Sequence, residues 1–364
     1  MKQNRTQVAI LGAGAIAYGT AALLCREGHD VTLWSPSGER TQAIAAGEPL
    51  YVTGAITAQF HPRVADSCAK VLANAEVVVV AVPGYAHRNV LTAAAPYLKN
   101  EQLVVFSSHM SLAALYLTKL LRQRGLTTPI VALGTTVITA RQPSSNAVRV
   151  GSIRTRLDLT VVPESAATRG MEVCRELFGD RFVSRSNLLA VSLSNVNPEV
   201  HLAIMLCNIA RVENGEQWTQ FSNVTPAVAQ LLEALDAERL AIARHLGVEV
   251  RTIHDHFHLS YNLPYGPLAA MVKPLGQPTR DVKGPTSLTA RYITEDVPFG
   301  LVPTVRLAAL AGIPAPLHES GIRLMSALLG RDLEADNDIL PELGSLSMPM
   351  LTGTESLRAL HANL

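Results

Sequence analysis

Charge is scarce in this sequence. Asp, Glu, Lys and Arg make up 17% of its 364 residues, against about 25% in an average soluble protein. Neither sign dominates: 31 Lys and Arg face 30 Asp and Glu, for a net charge of +1. Without a basic excess to neutralise a phosphate backbone, nucleic acid is excluded as the main partner. Cysteine is also sparse. Cys25, Cys68, Cys174 and Cys207 are far apart, with no CxxC. They read as reduced thiols of a cytoplasmic protein, not as a disulfide framework. Linkers of low complexity, charge runs and internal repeats are missing, and no stretch is long enough to span a membrane. What is plentiful is apolar side chain, at 48%. That excludes disorder as the dominant state and is enough for about two domains with real cores.

The N-terminus has the outline of a signal peptide, with basic Met1–Arg5 followed by largely apolar Val8–Cys25. However, Leu24 stands where a small residue is needed, no Ala-x-Ala site follows, and Gly12, Gly14 and Gly19 break the run. We therefore expect no secretion signal.

The first half alternates β-branched runs with helix-like segments. Gln7–Leu11, Val31–Trp34, the valine-rich Glu76–Val82, Leu103–Phe106 and Pro129–Leu133 read as strands. Ala15–Glu27 reads as a helix stopped by Gly28. Strands alternating with helices imply crossovers and hence a parallel sheet. Gly151–Val162 is strand-like again and is expected on the far side of the same sheet. From about Asn187 the punctuation is helical: Thr225-Pro226, Pro303 and Pro316 open segments that stop at Gly247, Gly312 and Gly330. The expected fold is α/β: a doubly wound parallel sheet in residues 1–186 and an all-helical domain in 187–364. Apolar helices and the low charge lead us to expect a homodimer through the helical half.

Gly12-Ala13-Gly14-Ala15-Ile16-Ala17 follows the first strand and opens the first helix. In that context GxGxxA is a dinucleotide fingerprint. Gly12 permits the tight turn, Gly14 lets backbone approach a pyrophosphate, and the helix start at Ala15 and Ile16 presents N–H groups to the anion. This places a Rossmann-type fold in the first half. Where an NAD site carries an acidic residue for the ribose hydroxyls, this chain has Ser35. Ser35 and Ser37 suit hydrogen bonds to a 2′-phosphate, and Arg40 suits its charge. NADP(H) is therefore expected over NAD(H). Val82 and Pro83 end the valine-rich strand and are expected to line the same crevice.

In the second half, Asn197 and His201 stand one helical turn apart. Histidine is the side chain best suited to exchange a proton near neutral pH, although a capping Asn and a packed His would also fit. His254, His256 and His258 alternate, but no cysteine or carboxylate cluster joins them, and no metal is expected. The stretch Ala290-Arg291-Tyr292-Ile293-Thr294-Glu295-Asp296-Val297-Pro298-Phe299-Gly300-Leu301-Val302-Pro303 is more specific. With the fingerprint and Asn-x-x-x-His, it resembles the octopine/nopaline dehydrogenases, the opine dehydrogenases, which include N-(1-D-carboxyethyl)-L-norvaline dehydrogenase. Asn208-x-x-Arg211, Asp236-Ala-Glu-Arg239 and Gly284-Pro285 extend the resemblance over nearly the whole chain.

The resemblance implies NAD(P)H-dependent condensation of an amino acid with a 2-oxo acid through an imine, and the reverse oxidation. It implies His201 as general acid/base, Asp296 as its carboxylate partner, Arg291 as a substrate-carboxylate ligand and Asn197 as an orienting amide. A simple 2-oxo-acid reductase of the ketopantoate reductase kind shares the fold plan, and an NADP(H)-binding sensor without turnover is a third reading.

Overall fold

The computed structural model describes residues 5–277 and 281–352. Among these, two compact units form: residues 5–191 with 348–352, and residues 192–347.

Twelve strands lie in the first unit: β1 Gln7–Leu11, β2 Asp30–Trp34, β3 Leu50–Gly54, β4 Ala58–Phe60, β5 Arg63–Val64, β6 Val77–Val80, β7 Leu103–Phe106, β8 Ile130–Leu133, β9 Ile138–Ser144, β10 Ala147–Ile153, β11 Leu157–Val162 and β12 Phe182–Ser184. Eight of them form one sheet in the order β12-β11-β8-β7-β6-β1-β2-β5. From β5 to β8 every pairing is parallel. The expected far-side strand is β11, which runs antiparallel to β8 and parallel to β12. The sheet is thus mixed at one side. The order reverses direction at β1, between β2 and β6, so a crevice opens beyond the carboxyl ends of β1 and β6.

A second sheet, β4-β3-β10-β9, was not expected, and it takes β10 out of the main sheet. It packs on helix α1, Ala15–Arg26. Eight consecutive residues of α1, Ala17 to Leu24, are buried, which is the state of a helix covered on opposite faces. Gly19 is the point of closest approach, where a Cβ would meet the Ile138 side chain at 2.6 Å. The apolar run that imitates a signal peptide is therefore strand β1 followed by a helix sandwiched inside the unit.

Among its described residues the second unit is helical, apart from one isolated antiparallel bridge between Thr219 and Lys283. Helix α2 (Asn197–Glu213) kinks at Asn208, whose side chain donates to the Ile204 carbonyl at 3.0 Å and satisfies a group freed by the kink. Helix α3 (Pro226–His245) begins as the sequence predicts, with the Thr225 hydroxyl accepting from the Val228 N–H and proline in the first turn. The Asp236-Ala-Glu-Arg239 motif is structural. Arg239 is fully buried against Asp236 at 3.0 Å and donates to the carbonyls of Leu193 and Arg251. The other Asp236 oxygen accepts from the Ile253 N–H. A buried guanidinium is tolerated here because its donors are met.

Candidate functional site

The crevice in the first unit is built around Gly12. Its φ is +136°, and a Cβ there would stand 2.4 Å from the Ala81 carbonyl oxygen and 3.2 Å from Val82 Cγ1. Its N–H donates to the Trp34 carbonyl at 2.8 Å. The ends of β1, β2 and β6 therefore converge on one residue that has to be glycine. Gly14 precedes α1 in an extended conformation with no side-chain cap. The first-turn N–H groups, those of Ala15 and Ile16 included, have no partner within the helix and carry its positive end.

Ser35 follows β2. The Gly38 N–H returns to its carbonyl at 3.2 Å, closing a turn over Pro36 and exposed Ser37. The Ser35 hydroxyl is buried and has no hydrogen-bond partner. An Arg40 guanidinium nitrogen lies 3.9 Å from where a Gly14 Cβ would be. The Tyr18 hydroxyl donates to the Arg40 carbonyl, and burial pushes Tyr18 up to about 12, so that donor stays protonated. An orphaned hydroxyl, an arginine beside a helix N-terminus and a turn with no room for a Cβ fit a phosphorylated ribose and a pyrophosphate. Pro83 opens the turn that follows β6.

His87 and His109 follow β6 and β7, and both present their rings edge-on to Phe106. Burial pushes His87 down to about 4 and His109 to about 3. His109 Nε2 accepts from the Ala114 N–H at 3.2 Å. Both are neutral near pH 7 and are poor proton donors there.

The acid–base candidates meet in the second unit. His201 stands on α2, one turn after Asn197, which is the first residue of that helix. The Asn195 side-chain oxygen accepts from the Asn197 N–H at 3.2 Å. His201 Nδ1 lies 2.7 Å from Asp296 Oδ2, with the two side chains 16% and 11% exposed. The carboxylate accepts, so Nδ1 carries the hydrogen and Nε2 is left as the exchanging atom. Asp296 sits between a short helix α4 (Arg291–Thr294) and a wide π-helical turn over Val297–Leu301, a distortion frequent at functional sites. Arg291 also lies on α4, with Nε ion-paired to buried Glu295 and its side chain 65% exposed.

The geometry adds one residue that the sequence reading passed over. The Tyr292 ring stacks on the His201 imidazole, with centroids 3.6 Å apart and planes 9° apart. The signal was present, since Tyr292 precedes Asp296 by four residues and faces the same way on a helix. The alternating histidines are engaged elsewhere: His254 with Glu233 at 3.1 Å, and His258 with the Leu263 carbonyl at 2.6 Å. Among the described residues no three His, Cys, Asp or Glu side chains are grouped to hold a metal ion, and no helix is long and apolar enough to cross a membrane.

Different family models match the two parts of the chain. Residues 8–155 match the ketopantoate reductase PanE/ApbA family, and residues 184–329 match the alpha-helical domain of NAD/NADP octopine/nopaline dehydrogenase. The opine dehydrogenase of Arthrobacter sp. (strain 1C) is 29% identical over 343 residues, covering 92% of this chain and 94% of its own. A structure of octopine dehydrogenase in complex with NADH and agmatine superposes with a TM-score of 0.80 at 18% identity, over 96% of this chain and 99% of its own. Yersinopine dehydrogenase with NADP+ bound gives 0.72 at 18% identity, over 94% and 99%. The ketopantoate reductase family model matches only the dinucleotide-binding half, whereas the family model that covers His201, Arg291 and Asp296 is that of the octopine/nopaline dehydrogenases. The chain is similar to the octopine/nopaline dehydrogenases, by family model over its helical half and by sequence relatives over nearly its whole length.

Proposed function

We propose that this protein is an NADP(H)-preferring opine dehydrogenase, which joins an amino acid or another amine to a 2-oxo acid by reductive condensation and runs the reverse oxidation. The observation that carries the reading is the His201–Asp296 pair at 2.7 Å, with Asn197 one turn before the histidine and Arg291 one short helix before the aspartate. Condensation releases water and leaves an imine. Its reduction needs one hydride and one proton. A nicotinamide cofactor, when bound, would supply the hydride. Gly12, Gly14, Ala15, Ile16, Val82 and Pro83 would hold the dinucleotide that carries it. His201 protonates the departing carbinolamine hydroxyl from Nε2 and accepts that proton in reverse. Asp296 fixes the tautomer and stabilises the imidazolium. Arg291 offers a planar fork to a substrate carboxylate, with Glu295 holding its Nε end. Asn197 orients the substrate or the nicotinamide amide.

NADP(H) preference is supported by Ser35 in place of a carboxylate and by Arg40 beside the helix start. A 2′-phosphate meets hydrogen-bond donors and a cation there instead of like charge. Four free thiols support a cytoplasmic location, and we further propose that copies pair through the helical unit.

The test is consumption of NADPH, followed by absorbance, with pyruvate, 2-oxoglutarate or glyoxylate, each with and without a panel of amino acids. Oxidation that requires both an oxo acid and an amine is expected. Oxidation with the oxo acid alone would assign a simple ketone reductase and overturn the proposal.

A further inference from the structure

We propose that Tyr292, anchored by Gln220, is a positioning residue that sets the plane of the His201 imidazole. The inference rests on the reading of His201 as the acid–base group. Beyond its bond to Cβ, the imidazole is tethered to Asp296 only at Nδ1, which leaves the ring plane free to rock about the line through those two points. Proton transfer is sensitive to such tilt, because a displacement of about 1 Å at a reacting atom costs on the order of 100-fold in rate. The stacked Tyr292 ring, 3.6 Å away and 9° off parallel, covers one imidazole face and removes that freedom.

Tyr292 is itself fixed at its far end. Its hydroxyl donates to Gln220 Oε1 at 2.8 Å. Gln220 is buried, and its N–H donates to the Val282 carbonyl at 2.7 Å. It directly follows the segment bridged through Thr219 and Lys283 and by the Gly284 N–H to the Trp218 carbonyl at 2.9 Å. Gly284 lies flat against the Trp218 indole, where a Cβ would come within 2.2 Å of the ring. The indole N–H donates to the Pro285 carbonyl at 2.8 Å. The Gly284-Pro285 motif thus closes the segment that presents Gln220, Gln220 holds Tyr292, and Tyr292 holds His201. No step of the acid–base chemistry uses these four residues directly.

A phenol face also carries partial negative charge, which favours a cation stacked on it. The other charged groups near the imidazole are Asp296 at its edge and the Arg291–Glu295 pair along α4. Glu199, with His318, lies two residues from His201 on α2 and so faces away from it. Removing the tyrosine ring therefore removes stabilisation of the imidazolium that the carboxylate does not replace.

Three variants test this. Tyr292→Leu removes the face, Tyr292→Phe keeps the face but loses the anchor, and Gln220→Met removes the anchor's acceptor. For Tyr292→Leu we expect kcat to fall roughly 10- to 100-fold with KM values within about threefold. Tyr292→Phe and Gln220→Met should lose roughly three- to tenfold in kcat, the conservative phenylalanine restoring most of what leucine loses. A second readout needs no substrate: titration of the His201 ring proton by NMR, assigned with His201→Gln. Its midpoint should fall by about half to one pH unit in Tyr292→Leu and stay in place in Tyr292→Phe. A leucine variant that titrates as the wild type does, or turns over within threefold of it, overturns the proposal. Should Tyr292→Leu not fold, the Phe and Met variants decide, and unchanged kcat in both overturns it. If no oxo acid and amine pair is turned over at all, the proposed activity fails while the ring titration still decides the role of Tyr292.

Discussion

At the residue scale, the two halves of the proposed chemistry are separable. His201→Ala removes the proton donor while leaving the Gly12 turn, α1 and Ser35 untouched. Turnover should fall about 10²–10⁴-fold, with NADPH affinity, measured by fluorescence quenching, within a factor of two or three. Asp296→Asn should cost a comparable amount, because an amide does not hold the Nδ1–H tautomer as a carboxylate does. Equal losses of turnover and NADPH affinity would mean that His201 is structural. The proposed cofactor preference rests on other residues. A charge-assisted bond to a phosphate is worth about 1.5–3 kcal/mol, or roughly 10- to 100-fold. Arg40→Gln should raise the KM for NADPH by that factor and leave NADH nearly unchanged. Ser35→Asp sets a carboxylate against the 2′-phosphate and should reverse the preference outright. Parallel losses for both cofactors in Arg40→Gln would show that this guanidinium does not meet the 2′-phosphate. Ser35 was legible from sequence because its offset from the glycines is fixed by the strand–helix–strand unit. His201 and Asp296 are 95 residues apart, and no local pattern pairs them; only the family resemblance did so in advance, and the distance between them required the fold.

At the element scale, the helix that carries His201 is held by a buried cluster. His318, at the start of α5 (Pro316–Leu329), places Nδ1 2.8 Å from Glu238 of α3 and Nε2 3.3 Å from Glu199 of α2. Glu238 also accepts from the Leu317 and His318 N–H groups. Burial alone would push His318 down, but its hydrogen bonds with the two carboxylates, and their charge, raise it to about 9. A histidine raised in the folded state adds stability that is fully present below its unfolded value of about 6.5 and is lost as pH rises through about 9. The size is on the order of 3 kcal/mol. Melting temperature should therefore fall between pH 7 and pH 10, and His318→Gln should start lower and flatten that decline. A variant with the same slope as the wild type would exclude the cluster as its origin. None of this was legible beforehand, since His318 sits in no recognisable motif and its partners come from two other helices. The parallel strands were readable, Leu103–Phe106 to the residue, because strands covered on both faces are uninterrupted apolar runs. The second sheet was not, because β3 and β10 are far apart in sequence and half exposed. Gly54, where a Cβ would meet the Val150 carbonyl oxygen at 2.1 Å, is where the two strands approach.

At the scale of the whole molecule, the proposed pairing of copies has a specific place to occur. Leu317, Leu324 and Leu328 are 37%, 54% and 50% exposed. Spaced by seven and four residues, they form one stripe along α5. Beside the stripe Arg323 and Glu319 lie 3.7 Å apart. A helix that meets its own copy about a two-fold axis presents the same stripe to itself, and the neighbouring opposite charges can then cross between chains. Burying the exposed part of six leucines supplies several kcal/mol at about 25 cal/mol per Å², before the cost of association. Light scattering on a sizing column should report twice the chain mass at micromolar concentration. Leu324→Glu with Leu328→Glu should report a single chain with unchanged secondary structure, since neither side chain is in the core of the unit. A wild-type protein that runs as one chain across that range removes the pairing. A double variant that still runs as two moves the interface off α5.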